Sequence, residues 1–307
     1  MDGYENPVPD GQDDVYTGEH GRLWGGEARG KSKVISKPYI ITAAIVLYHT
    51  KPELLARAIK SYAPTETKKL FLIDNSEESS TQYADMENIE YIFCGKNLGY
   101  GAAHNIGIKK AFEIGAKYHI ILNPDVYFEP SVINALAEYA DSDLEVVYLL
   151  PKVIYPNGEL QYLCKLLPTP FDLIIRRFLP DAGFLKKRND RYILKATGYD
   201  KIMNPPCLSG CFMFLRVQAL KENHLFFDKR FFMYCEDFDL IRRLHRIGKT
   251  IFYPYVTIVH AHAKESYKNM KMLQMHIASA VKYFNKYGWI VDRERRKMNV
   301  VEKIWKV

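Results

Sequence analysis

The chain has 307 residues, enough for one large α/β domain or two small ones around a substantial core. Hydrophobic residues make up 48% and charged residues 26%, which excludes a fibrous chain or one disordered throughout. The net charge of +7 gathers at Lys165 to Lys195 and at Arg293 to Lys306 with no nucleic-acid motif beside it, so an anionic ligand or lipid surface is expected, and no nucleic acid.

Residues 1–36 are rich in Gly, Asp, Glu and Pro without apolar period, and read as a flexible N-terminal tail. The continuous apolar run from Tyr39 to Tyr48 predicts a buried parallel strand. Pro52 then opens a helix through Leu54, Leu55, Ala58 and Ile59, where its missing N–H is harmless. Short strands follow at Leu70 to Asp74 and Ile89 to Phe93, a helix from about Gly101 to Gly115, and a strand from Tyr118 to Asn123. This alternation predicts an α/β fold with a mostly parallel central sheet flanked by helices, its ligands held at the carboxyl ends of the strands.

After Pro151 the pattern changes. Residues 156–206 carry prolines, aromatics and basic residues with weak periodicity, as an excursion over the sheet would. Regular structure resumes from Cys207 to Leu215, and a helix runs from about Glu236 to Ile247 with Gly248 as C-cap. A long helix from about Ser266 to Tyr287 precedes a basic C-terminal tail, residues 291–307. Five cysteines at irregular spacing give no structural zinc pattern and suit a reduced cytoplasmic compartment. No apolar run is long enough to span a bilayer, and no secretory signal core is visible.

Five groups carry the chemistry. Asp74, Asn97 and Asp125 lie at or beyond strand ends; the glycine-rich run from Gly95 to Gly107 enters a helix, where backbone N–H groups can approach a phosphate. Asn123, Pro124 and Asp125 offer one carboxylate and one amide, enough for Mg²⁺ or Mn²⁺ when a diphosphate and water complete its shell. Glu236 and Asp237 open a helix behind the aromatic wall of Phe231, Phe232, Tyr234 and Phe238, where partial desolvation raises a carboxyl pKa toward that of a base. Acids in a first turn also simply favour the helix dipole. Asp239 is expected to face solvent or cap the helix. His260 and His262 alternate at a strand end, one of them a metal ligand, with Lys264 nearby for a phosphate.

These blocks, in this order, resemble the family 2 glycosyltransferases, in particular the bacterial rhamnosyltransferase-like branch of O-antigen and capsule synthesis. The resemblance rests on Ala44 to Tyr48, Ile73 to Ser76, Asn97 to Gly107, Leu122 to Asp125, Leu208 to Gly210, Phe227 with Asp228, Phe231 to Leu240, and His260 with Ser266. It implies a GT-A nucleotide-sugar-binding fold over residues 37–290, with a donor half to about 150 and an acceptor half beyond. It implies donor contacts from Leu47, Tyr48, Asp74, Asn97, Gly101, Asn105, Asn123, Asp125 and Gly210, and metal contacts from Asp125 and His260. Asn123 stands at the first acidic position of the family's Asp-x-Asp motif. Asp237 is the implied base, with Glu236 its close rival. The implied reaction is inverting transfer from a UDP- or dTDP-sugar to a hydroxyl of a polyprenyl-diphosphate-linked glycan. Residues 170–180 and 293–307 mix apolar and basic side chains and are expected to touch the inner face of the cytoplasmic membrane. A nucleotidyltransferase and a catalytically inactive sugar- or nucleotide-binding protein are the alternatives. The first would want glycine after the first strand, where Tyr48 to Lys51 has none. A nucleotide-sugar dehydrogenase is disfavoured by the missing dinucleotide fingerprint.

Overall fold

The computed structural model describes residues 39–83, 86–173, 183–261 and 270–307. The expectations placed on residues 1–36 and 174–180, and on His262, Lys264 and Ser266, lie outside them.

In chain order come Ile41–Leu47 (β1), Pro52–Tyr62 (α1), Lys68–Asp74 (β2), Ile89–Phe93 (β3), Tyr100–Glu113 (α2), Tyr118–Leu122 (β4), Val126–Tyr127 (β5), Ser131–Ser142 (α3) and Val146–Ile154 (β6). The rest are Pro170–Leu173 (α4), Gly183–Tyr192 (α5), Phe212–Arg216 (β7), Val217–Glu222 (α6), Glu236–Leu244 (α7), Lys249–His260 (β8), Met270–Tyr287 (α8) and Arg293–Met298 (α9). One sheet has the order β3-β2-β1-β4-β7-β6-β8-β5.

The apolar runs explain the centre of this sheet. β4 is buried at every position and β1 at all but one, because helices cover both faces. On α1, Leu55, Ala58 and Tyr62 recur at helical spacing and point inward. The Tyr62 hydroxyl reaches the Ile41 and Lys69 carbonyls at 3.0 and 3.1 Å, tying α1 to β1 and β2.

The sheet is mixed rather than uniform. β1 pairs parallel with β2 and β4, β2 with β3, and β6 with β8, whereas β7 runs antiparallel between β4 and β6. β5 pairs antiparallel with β8. The division at residue 150 falls inside β6, and residues 38–307 form one compact unit. Residues 291–307 are not a tail: Asp292 and Ile304 are buried, and Asn204 N–H donates to the Ile304 carbonyl at 2.7 Å. Gly248 is not a left-handed cap either. A Cβ there would come within 2.5 Å of the Glu145 carbonyl oxygen, so close packing against the start of β6 demands the glycine.

Candidate active site

The parallel register brings the first set of candidates to one level. Leu47 is the partner of Asp74 across β1 and β2, and Asp74 of Phe93 across β2 and β3. Asp74 is buried; its carboxylate accepts from Ser76 N–H at 2.9 Å and from the Tyr91 hydroxyl at 2.7 Å. Tyr48, just past β1, leaves its ring half exposed at the crevice edge. Asn75 is buried beside it, with its N–H on the Leu47 carbonyl (2.8 Å) and its Nδ2 on the Gly99 carbonyl (3.3 Å). Its Oδ1 is buried without a hydrogen-bond partner.

The glycine-rich entry to α2 serves a different purpose from the one its sequence suggests. Gly99 has φ +84° and sits where a Cβ would lie 2.3 Å from the Phe232 carbonyl oxygen. Tyr100 N–H donates to that same oxygen at 3.0 Å, so it is not presented to a phosphate. Gly101 makes room for Phe227, whose Cβ would stand 2.7 Å from an added methyl. Asn105 is buried and holds the Phe227 backbone at both ends, accepting its N–H at 2.8 Å and donating to its carbonyl at 2.9 Å. Gly101 and Asn105 therefore grip the segment leading to α7 rather than opening onto the crevice. Asn97 accepts from Gly99 N–H at 2.9 Å and shapes the turn before the helix.

Tyr100 joins the strand-end amide to the carboxylate helix. Its hydroxyl lies 3.0 Å from Asn123 Oδ1 and 2.8 Å from the Gly210 carbonyl oxygen. Gly210 N–H in turn points to Asp237 Oδ2 at 3.4 Å, and a Cβ on Gly210 would crowd Asp237 at 3.0 Å. Asp237 Oδ1 accepts from Phe238 N–H at 2.8 Å. Successive helix residues point about 100° apart, so only one of the two acids faces Gly210. That acid is Asp237, part-exposed, whereas Glu236 is buried with Oε2 unpartnered. Burial first, and the Asp237 charge second, push the Glu236 carboxyl up to about 8. Burial also raises Asp237, against the nearby positive charge of Lys165.

Asp125 follows β4 and is fixed by the short β5–β8 ladder, with Ala261 N–H on its carbonyl at 2.9 Å. Its Oδ1 lies 3.4 Å from His260 Nε2. The other imidazole nitrogen, Nδ1, meets Gln161 Oε1 at 3.0 Å, and Gln161 Nε2 donates to the His260 carbonyl at 2.8 Å. This partner sets the ring so that Nε2 faces Asp125. Burial works against a charged imidazole, whereas the Cys211 sulfur and the Asp125 carboxylate work for it; the balance pushes His260 up to about 10. A metal ion would have to displace that proton before the ring could ligate it. The oxygen-nitrogen pair fits a divalent ion that a diphosphate would complete, although no group of three or more His, Cys, Asp or Glu side chains is poised for a metal among the described residues.

Asp239 departs from its expected exposure. It is fully buried, accepting from Arg243 at 2.6 Å and the Tyr287 hydroxyl at 2.6 Å, and is paired with Lys286. It locks α7 onto α8 and stands apart from the crevice. Sequence reasoning missed Tyr100, Gln161 and Lys165 as site residues. Lys165 is brought in by a bridge to Cys207, 42 positions on, and no local pattern signals such a pairing.

A model of the family described as "Glycosyl transferase family 2" matches residues 43–224. The chain is 28% identical over 240 residues to the N-acetylglucosaminyl-diphospho-decaprenol L-rhamnosyltransferase of Mycobacterium tuberculosis, covering 72% of this chain and 76% of that protein. It is 24% identical over 273 residues to rhamnosyltransferase WbbL of Escherichia coli K12, covering 84% and 97%. Among solved structures, S. aureus TarS 1-349 in complex with UDP matches with a TM-score of 0.51 and 15% identity over 80% of this chain. GalNAc-T7 with UDP, GalNAc and Mn²⁺ matches with a TM-score of 0.54 and 14% identity over 82%. The match takes in 66% of the first solved chain and 50% of the second, and at this identity the likeness is one of fold.

Proposed function

The chain belongs to glycosyl transferase family 2, and from that premise we propose that it is an inverting transferase moving a sugar from a nucleotide diphosphate to a glycan hydroxyl. The observation carrying this reading is the contact chain Asn123–Tyr100–Gly210–Asp237, which joins the strand-end diphosphate position to a carboxylate of raised pKa in one crevice.

The nucleotide lies over the ends of β1 and β2, its base toward Asp74 and Tyr48. Asn97, Asn123 and Asp125 follow along the diphosphate. Asp237 takes the proton of the acceptor hydroxyl; the oxygen bonds to the anomeric carbon as the bond from that carbon to the diphosphate oxygen breaks, inverting the centre in one displacement. Gly210 N–H holds Asp237 in place, and the Lys165 charge opposes the rise of its pKa. The Asp237 charge in turn favours a protonated Glu236 beside it. Asp125 and His260 would hold Mg²⁺ or Mn²⁺, whose charge favours the departing nucleotide.

Two relatives named as rhamnosyltransferases support a deoxyhexose such as rhamnose, carried by UDP or dTDP. The name of the first supports an acceptor on polyprenyl diphosphate, and with it work at the inner face of the cytoplasmic membrane as a peripheral protein. No helix among the described residues is long and apolar enough to cross a membrane. The test is nucleotide release from UDP- and dTDP-sugars in the presence of acceptor. Asp237→Asn is expected to lose turnover with its melting temperature intact. Full activity in both Asp237→Asn and Glu236→Gln would refute the assignment, and binding without turnover in the unaltered chain would favour the inactive sugar-binding alternative.

A further inference from the structure

The turn between α8 and α9 sends apolar side chains outward. Gly288 takes φ +103° and ends α8 with its N–H on the Phe284 carbonyl at 2.7 Å. The next three residues are Trp289, 39% exposed, Ile290, 84% exposed, and Val291, 63% exposed. Trp289 leans on Phe284, ring centroids 5.3 Å apart, and donates Nε1–H to Asn285 Oδ1 at 2.8 Å.

This tip is rigidly mounted. Asp292, directly behind it, is buried and receives two guanidinium hydrogens from the buried Arg242, each at 2.7 Å. Asp292 also caps α9 through Arg295 N–H at 2.8 Å, and Arg295 Nη2 donates to the Ile290 carbonyl at 3.3 Å. Around the tip Arg293, Arg296 and Lys297 are exposed, and none has an acidic partner within 4 Å among the described residues. Two aliphatic side chains fixed in water, a tryptophan at their base and unpaired cations beside them match the layers of an anionic bilayer surface. A second copy of the chain is a poor occupant. A twofold contact through the tip would bring the same cations face to face.

We propose that the turn Trp289–Val291 docks the protein on an anionic lipid bilayer, Ile290 and Val291 entering the acyl boundary and Arg293, Arg296 and Lys297 meeting the headgroups. The purpose, though not the geometry, rests on the lipid-linked acceptor reading. Arg242, which anchors the tip, lies on the same helix as Asp237 and five residues further on, about 7.5 Å along its axis. Docking would thus hold the base at a fixed height above the lipid that carries the acceptor.

The test uses the full chain with vesicles of phosphatidylglycerol and phosphatidylcholine, and of phosphatidylcholine alone. At low salt the protein is expected to sediment with the anionic vesicles only. In a Trp24→Phe/Trp305→Phe background, Trp289 emission should shift to the blue on binding. Ile290→Ser/Val291→Ser should weaken binding about tenfold or more. Arg293→Gln/Arg296→Gln/Lys297→Gln should weaken it about fivefold per charge and flatten its salt dependence. Both variants should release nucleotide from a donor sugar in solution at the unaltered rate. No binding to anionic vesicles, or equal binding by the Ile290→Ser/Val291→Ser protein, overturns the proposal. So does self-association that this variant abolishes, since the tip would then meet a second copy. Loss of donor turnover with vesicle binding intact counts against the transferase reading alone.

Discussion

The Tyr100 hydroxyl sits 2.8 Å from the Gly210 carbonyl oxygen and fastens the start of α2 to the residue whose N–H reaches Asp237. Tyr100→Phe keeps the ring and removes this tie. It is expected to cost about 1 kcal/mol of stability and to lower kcat about tenfold or more, with a smaller change in donor KM, because Asp237 loses its fixed height. Steady-state kinetics beside urea unfolding checks both; unchanged kcat would detach Tyr100 from the mechanism.

The Glu236 and Asp237 carboxyls titrate as a pair, so apparent pKa values belong to both. With Glu236 raised to about 8 and Asp237 raised as well, the rate should climb with pH through the neutral range. Glu236→Gln removes the member of the pair raised to about 8 and leaves Asp237 to titrate alone, which should move this limb toward lower pH. Stability runs the other way. Between the ordinary glutamate pKa and about 8 the folded chain binds more protons than the unfolded chain, so this group's contribution falls as pH rises through that window. Melting temperatures from pH 5 to 9 should therefore decline less steeply in Glu236→Gln.

Two histidines in the core act in the opposite sense. His119 is fully buried, its Nδ1 2.7 Å from Thr42 Oγ1, and burial holds its pKa at about 3. His104 is equally buried, with both ring nitrogens unpartnered and its pKa well below the usual value. Both enter the fold neutral. Their contribution is complete above about pH 6.5 and is lost as pH falls from there toward the folded pKa. His104→Leu, close in volume and free of unsatisfied nitrogens, should lose less stability between pH 7.5 and 5 than the unaltered chain. Parallel urea curves at the two pH values decide it.

Asp239 is the most heavily partnered carboxylate of α7, and its partners Lys286 and Tyr287 come from α8. Asp239→Ala leaves Arg243 and Lys286 without their shared anion. The expected loss is about 3–5 kcal/mol, read by urea unfolding, with the expressed protein falling accordingly. A loss below about 1 kcal/mol would mean that solvent reaches this cluster freely.

Nucleotide binding should depend on divalent metal through Asp125. By calorimetry, Mn²⁺ is expected to strengthen UDP or dTDP binding in the unaltered chain, to have no effect in Asp125→Ala, and to have a reduced effect in His260→Ala. Equal Mn²⁺ enhancement in Asp125→Ala would move the metal elsewhere.

Much of the first half was legible locally. β1, β2, β3 and β4 are runs long and apolar enough to announce themselves, and α2 was placed to within two residues at each end. The neighbours of β7 were not legible, because a short apolar strand carries no record of which edge it will join. Asp239 was misread for a related reason. Arg243 lies four positions on in the same helix, but Lys286 and the Tyr287 hydroxyl come from a helix more than forty residues later. At Gly99 and Gly101 the signal was real and its object mistaken. The glycines do admit a close approach, and what approaches is the chain itself, the Phe232 carbonyl at Gly99 and the Phe227 side chain at Gly101.

The place of β4 bears on how the chain is made. Its partners are β1, already synthesised when it emerges, and β7, which follows about ninety residues later. At ribosomal rates that delay lasts roughly five to twenty seconds. Until β7 arrives, the apolar run from Tyr118 to Leu122 is a bare sheet edge, the kind that recruits other nascent strands. Yield in the cell should depend on chaperones that shield this edge during translation, more than on the equilibrium stability of the finished fold.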